Sequence, residues 1–124
     1  MDYNIRKGQT ALIRLDYTVN QEPLADYDAD ELEFTFGNTT RLLSNNGIYY
    51  DATEDALCTF LTQEDTLALP TAAAYQLRIL KDGEVTPSKI GYELIGESLS
   101  HEILTGSGGA AANAVLSVGN EVTT

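Results

Sequence analysis

The only histidine of the chain lies among residue types that hydrolases use. His101 is flanked by Ser100 and Glu102, and Ser98 is two residues further away. A nucleophile, a general base and an orienting carboxylate form a catalytic triad only in a defined geometry, and neighbours along a strand point to opposite faces. We therefore predict a surface histidine. Because no other acid–base pair or activated nucleophile stands out, we also predict that the protein is not an enzyme.

Three aspartates alternate like the start of a calcium-binding loop. Asp26, Asp28 and Asp30 match the first, third and fifth positions, and such a loop then needs glycine at its sixth position and glutamate at its twelfth. This chain has Glu31 and Gly37 there, so the match fails. We interpret the segment as a solvated acidic loop, and loose cation binding is the alternative.

The single cysteine, Cys58, cannot form an internal disulfide. It lies in a strand-like run between Leu57 and Phe60, which predicts a buried free thiol and fits assembly in a reducing cytoplasm. One cysteine and His101 have no spacing typical of a metal site, and the isolated glycines form no phosphate-binding pattern. We therefore predict no metal and no cofactor.

Two adjacent tyrosines, Tyr49 and Tyr50, are candidates for stacking on a sugar. The chain has no tryptophan, and alternation along a strand buries one of two neighbouring side chains. Packing in the core or at an interface is the favoured interpretation. A carbohydrate-binding β-sandwich module, which would use these tyrosines or the acidic loop, is the alternative.

The net charge limits the classes of partner. The chain has 7 basic and 19 acidic residues, which give a net charge of -12. Affinity for nucleic acid comes largely from neutralising phosphates with Lys and Arg, so nucleic acid is disfavoured, as are anionic membranes. No apolar run is long enough for a transmembrane helix, and the first residues do not resemble a secretory signal.

Alternation of polar and apolar residues dominates the chain. Residues 10–18, 31–36 and 75–80 follow the period of two that is typical of half-buried strands, and residues 56–61 are also predicted to form a strand. About seven short strands, with turn residues at intervals of roughly ten, predict an all-β fold. We expect an antiparallel β-sandwich that occupies residues 1–104, and the resemblance described below implies that it is immunoglobulin-like.

The corner between two of these strands contains a helix-capping pattern. Thr62 and Asp65 have the spacing of a capping box, and Pro70 disfavours helix immediately before it. The sequence therefore predicts one short helical turn at 62–68. The following strand is expected to end at the tight turn formed by Asp82 and Gly83.

The last strand of the predicted domain has apolar residues at alternate positions. Ile90, Tyr92 and Leu94 are predicted to form its inward-facing set. The sequence then becomes less regular, and its candidate anchors onto the domain are Leu99, Ile103 and Leu104.

The remainder of the chain, 105–124, is predicted to be a Gly/Ala-rich tail or linker. Residues 105–113 have the composition of a flexible linker. A small apolar patch follows at Val115, Leu116 and Val118. The tail can pack on its own domain or be held by a partner chain. We favour the partner, because an extended tail that adds to another chain's sheet is a recurring assembly mode.

The chain resembles the small immunoglobulin-like structural modules of tailed bacteriophages and prophages. It is similar to the N-terminal domain of the phage baseplate upper protein and to modules tied to tail or head fibres. The resemblance spans about residues 4–104. The segments that carry it are Ile5-Arg-Lys-Gly-Gln-Thr10, Leu61-Thr-Gln-Glu-Asp-Thr-Leu67, Tyr75-Gln-Leu-Arg-Ile-Leu80, Val85-Thr-Pro-Ser-Lys-Ile90 and 99–104.

This resemblance implies a non-enzymatic structural protein of the virion. Such a module would be an assembly, adaptor or decoration element of the tail, the baseplate or the head fibres. It would be assembled in the host cytoplasm, and its partners would be other virion proteins and further copies of the same chain. The resemblance supplies no catalytic residues.

Overall fold

Strands are the main regular elements of the fold, in a computed structural model that describes residues 3–105 and 114–124. One five-residue helix, α1 (Gln63–Leu67), and one 3-10 turn (Leu24–Asp26) are the helical elements of these ranges. The predicted all-β class is therefore confirmed. The strands are β1 (Ile5–Arg6), β2 (Ala11–Leu15), β3 (Thr18–Val19), β4 (Glu22–Pro23), β5 (Glu31–Phe36), β6 (Thr39–Leu42), β7 (Tyr49–Asp51), β8 (Ala56–Leu61), β9 (Ala72–Lys81), β10 (Glu84–Pro87), β11 (Gly91–Gly96), β12 (Ala114–Val118) and β13 (Glu121–Val122).

These strands form two main sheets and a small third one. The six-stranded sheet has the order β1-β11-β9-β5-β6, and β10 also pairs with β9. The four-stranded sheet has the order β12-β2-β8-β7, and β13-β3-β4 form the third sheet. Both main sheets contribute side chains to one buried apolar cluster.

The sheets are mixed rather than purely antiparallel. Seven of the ten strand pairings in the described ranges are antiparallel, as predicted. The three parallel pairings, β1–β11, β12–β2 and β13–β3, each join one of the first three strands to one of the last three. Tight turns connect antiparallel strands. The turn residues that identify hairpins in a sequence therefore cannot predict these three parallel pairs.

The alternating strands supply the core. In β5, Leu32, Phe34 and Phe36 are buried, and the residues between them are partly exposed. The Phe34 ring lies at the centre of an aromatic group, with its centroid between 6.2 and 6.5 Å from those of Tyr17, Phe36 and Tyr75. Aromatic burial of this kind is a large part of the apolar stabilisation of a small domain.

The predicted helical turn at 62–68 is confirmed, with its cap. The Thr62 hydroxyl accepts from the Asp65 N–H at 3.1 Å, and the Asp65 carboxylate accepts from the Thr62 N–H at 2.9 Å. Arg41 donates to the same carboxylate at 2.6 Å. The Asp65 carboxylate is therefore a structural group that joins α1 to β6. The turn after β9 is also as predicted, since Asp82 and Gly83 both have positive φ angles.

The predicted boundary at residue 104 does not separate the fold from a free tail. β12 pairs with β2, and β13 pairs with β3, so residues 114–124 belong to the sheets of the same chain. Packing on its own domain, the other alternative for the tail, is what the structure shows. The linker predicted at 105–113 lies outside the described residues except for Thr105.

Candidate functional site

The residues with the composition of a triad are not arranged as one. His101 and Glu102 are exposed. The Ser98 hydroxyl donates to the Ser100 carbonyl oxygen at 2.8 Å, and the Glu102 N–H donates to the Ser100 hydroxyl at 3.3 Å. These hydrogen bonds shape a local bend and do not join a serine to the imidazole.

The three aspartates of the acidic loop have different neighbours. Asp26 lies in the 3-10 turn, and the Asp30 carboxylate accepts from the Asp82 N–H at 2.8 Å, which ties the loop to the turn after β9. The Lys81 ammonium donates to the carbonyl oxygen of Asp28. Within residues 3–105 and 114–124, no group of three or more His, Cys, Asp or Glu side chains is arranged to hold a metal ion.

Tyr50 lines a cleft of about 530 Å³ together with polar residues from distant parts of the sequence. β2 contributes Arg14 to it, the 3-10 turn contributes Asp26, and the segment before β8 contributes Asp55. Asp16 and Thr18 also line it. We call this feature the Tyr50 cleft. It joins one of the two predicted tyrosines to the first aspartate of the acidic loop.

The charges in the Tyr50 cleft hold one another in place. The Tyr50 hydroxyl donates to the Asp55 carboxylate, and this hydrogen bond raises the pKa of Tyr50. The Arg14 Nε atom donates to Asp16 at 2.7 Å, and this hydrogen bond raises the pKa of the guanidinium. The Nη1 atom of the same guanidinium lies 3.6 Å from Glu54. The cleft therefore presents carboxylate oxygens around a neutral aromatic ring.

Such a lining can bind a ligand that carries hydroxyl groups. Carboxylates accept hydrogen bonds from hydroxyls, and the face of an aromatic ring packs against C–H groups. Tyr50 is 54% exposed, so its ring is accessible. Tyr49 is only partly exposed, and burial raises its pKa, as expected for neighbouring residues of one strand.

An apolar surface that was not predicted lies on the six-stranded sheet. Tyr92 and Leu94 are 69% and 46% exposed, and their register partners on β9 are Ala74 and Ala72. We call these four residues the β11 face. A shallow groove of about 320 Å³, lined by both alanines and Pro70, continues it.

The prediction that Ile90, Tyr92 and Leu94 face inward is wrong. All three are exposed, and Ile95 is the buried apolar residue of β11. A Cβ atom on Gly91 would lie 2.3 Å from the Tyr75 ring. Position 91 faces this ring and can therefore hold only glycine. Tyr92 and Leu94 lie on the opposite, outer side of the strand.

The three tail residues predicted to form an interface have two different environments. Leu116 and Val118 are buried in the core of their own chain, because β12 directs alternate residues inward. They are therefore not available to a partner in this arrangement, which corrects the prediction for these two. Val115 is 51% exposed on the outer side of the same strand.

Comparisons with known proteins add no relative. No family model matches the chain, and neither the curated proteins nor the solved structures include a significant match. In the part of the chain that the structure describes, no helix is long and apolar enough to cross a membrane.

Proposed function

We propose that the chain is a non-enzymatic structural protein of a tailed-bacteriophage virion, where it connects other proteins of the tail, the baseplate or the head fibres. The resemblance of residues 4–104 to immunoglobulin-like phage modules supports this assignment. The single observation that carries the docking role is the exposed β11 face.

The β11 face has the composition of the centre of a protein interface. Tyr92 and Leu94 stand beside two alanines, so a flat surface has two large side chains and no charge among its four members. Interface centres are depleted in charged residues and enriched in tyrosine. The chain has a net charge of -12, so an uncharged face is a distinct feature of its surface.

Glu93 lies between Tyr92 and Leu94 on β11, and its side chain points to the opposite side of the strand. There its carboxylate accepts a hydrogen bond from Asn4 at 3.0 Å. The charge of Glu93 is therefore not part of the β11 face. The occupant that we propose is another virion protein.

The immunoglobulin-like architecture is part of the same proposal. Two sheets share one core, and a capped helical turn connects β8 of one sheet to β9 of the other. These features are compatible with the immunoglobulin-like sandwich, and they support extending the resemblance to function.

Incorporation of variants into virions tests the docking role. Tyr92→Ser combined with Leu94→Ser removes the apolar side chains from positions that are already exposed, so folding is expected to be preserved. Particles made with this variant should contain at least tenfold less of the protein. Val85→Ser is the matched control, because Val85 is a similarly exposed apolar residue on another part of the surface. Full incorporation of the double variant, with circular dichroism unchanged, would refute the docking role.

A second candidate function is carbohydrate binding through the Tyr50 cleft. The observation that favours it is the placement of Tyr50, Asp26 and Asp55 around one cavity. A glycan array with the wild-type protein and with Tyr50→Ala is the test. Binding that is lost in the variant supports this function, and the absence of binding to every glycan argues against it.

A further inference from the structure

One side of the β12 backbone is unpaired, because β12 forms an edge of the four-stranded sheet. In the described ranges its strand neighbour is β2 alone. The Val118 carbonyl oxygen accepts from the Asp16 N–H at 2.7 Å, so the backbone groups of Val118 and, two residues earlier, Leu116 point toward β2. Successive residues of a strand direct their N–H and C=O groups to opposite sides. The backbone groups of Val115 and Ser117 therefore point away from β2.

The β12 edge lacks the features by which proteins protect exposed strands. Charged side chains and proline on an edge strand prevent pairing with another chain. Every other strand that forms a sheet edge in the described ranges contains a charged residue, and β4 and β10 also contain proline. These charged residues are Arg6 in β1, Glu22 in β4, Arg41 in β6, Asp51 in β7, Glu84 in β10 and Glu121 in β13. β12 has five residues, and none of them is charged or proline.

The side chains of β12 do not obstruct the approach of another strand. Val115 and Ser117 are exposed on the outer side of the sheet, and the other three residues are buried on the inner side. A strand that pairs here contacts the backbone, so Leu116 and Val118 remain in the core of their own chain. The edge therefore presents unpaired N–H and C=O groups to a strand from outside.

From these observations we propose that β12 pairs antiparallel with β12 of a second copy of this chain, which joins the two four-stranded sheets into one continuous sheet. A twofold axis at Leu116 places Val115 opposite Ser117 of the partner subunit. Residues in a hydrogen-bonded antiparallel pair exchange both of their N–H···O bonds. The two pairs related by the axis then use every outward-pointing N–H and C=O group of Val115 and Ser117 in both copies.

Symmetry and charge both favour a second copy as the occupant of this edge. Twofold dimers are the commonest oligomers, and their interface uses the same surface on both subunits. The chain has a net charge of -12, and like charges that lie opposite each other destabilise a pair of strands. Twofold pairing of β7 or β10 would bring Asp51 or Glu84 close to its own copy. Twofold pairing of β12 opposes no charges.

Sedimentation equilibrium of the full-length chain, from micromolar to millimolar concentration, tests the proposal. The mass should approach twice the 13.4 kDa of one chain. Val115→Glu combined with Ser117→Glu places like charges opposite each other, so its dissociation constant should rise at least tenfold. The matched control is Thr53→Glu with Val85→Glu, which adds the same charge at exposed positions elsewhere and should dimerise like the wild type.

A second variant changes the backbone rather than the charge. Ser117→Pro removes an N–H group that the single chain does not use for pairing with β2, and proline is tolerated at such positions of edge strands. Unchanged circular dichroism should accompany a dissociation constant that is at least tenfold higher. Tyr92→Ser combined with Leu94→Ser should dimerise like the wild type, so a failure of the virion assignment is distinguishable from a failure of this proposal.

Residue-resolved hydrogen exchange of the wild-type dimer identifies the surface that is used. The N–H groups of Val115 and Ser117 should be protected, as is expected for the Leu116 N–H, which points toward β2 and serves as the internal reference. Two results would overturn the proposal. One is the mass of a single chain at every concentration, and the other is a dimer in which the N–H groups of Val115 and Ser117 exchange without protection.

Discussion

Leu116→Ala should destabilise the protein strongly, because the C-terminal segment is part of the core. Leu116 is 6% exposed, and it belongs to the buried cluster to which both main sheets contribute. Replacing a buried leucine by alanine costs about 2–5 kcal/mol. β12 is an edge strand, where neighbouring residues can relax into the space, so we expect about 2.5 kcal/mol. For 124 residues this loss lowers Tm by about 10 °C.

Urea denaturation of each variant and of the wild type, at the same protein concentration, measures this loss. The matched control is Val115→Ala, one residue earlier on the same strand and 51% exposed, for which we expect less than about 1 kcal/mol. Equal midpoints for Leu116→Ala and the wild type would refute the placement of β12 in the core. A loss as large for Val115→Ala would refute the assignment of the two faces.

Three other predictions concern single groups. Thr62→Ala should lose about 1 kcal/mol in the free energy of unfolding, because its hydroxyl caps α1; no change relative to the exposed control Thr53→Ala would show that the cap contributes nothing. The Cys58 thiol is buried, and burial raises its pKa to about 11, so Ellman's reagent at pH 8 should label it only after unfolding; rapid labelling of the native protein would contradict this burial. Arg78 donates to Glu33 at 2.7 and 3.0 Å, and this hydrogen bond lowers the pKa of Glu33 below 4.5. The stabilisation is complete above the ordinary pKa and is lost as the pH falls through the lowered value, so Arg78→Gln should be less stable than the wild type at pH 7 and approach it in acid; a difference that is independent of pH would exclude this linkage.

Local patterns predicted the elements that depend on neighbouring residues. The alternation in β5 placed Leu32, Phe34 and Phe36 inward, as the structure has them. The capping box at Thr62 depends on residues only three apart, and it was predicted for the same reason.

The phase of β11 shows what alternation alone does not determine. Its apolar residues repeat with period two, which fits either side of the strand facing the core. The choice is made by the Tyr75 ring, which occupies the space where a side chain on Gly91 would lie. That contact comes from β9, so nothing within β11 reveals that Tyr92 and Leu94 face outward.

The pairing of the two chain ends and the Tyr50 cleft depend on contacts between distant residues. β12 lies about 100 residues after β2, so no hairpin turn connects the two strands directly and predicts their pairing. The cleft likewise joins Arg14, Asp26 and Tyr50 from separate elements. A signal for β12 was present in the alternation of Val115, Leu116, Ser117 and Val118, but the Gly/Ala-rich stretch before it favoured a tail.

Hydroxyl-radical footprinting of the protein, free and within intact virions, tests the claim that another virion protein covers the β11 face. We expect oxidation of Tyr92 and Leu94 to fall at least fivefold in the virion, because the proposed partner would exclude solvent from both side chains. Tyr50, which is also exposed in the free chain, serves as the internal reference. Equal oxidation of Tyr92 in both samples, or the absence of the protein from the particles, would contradict the claim.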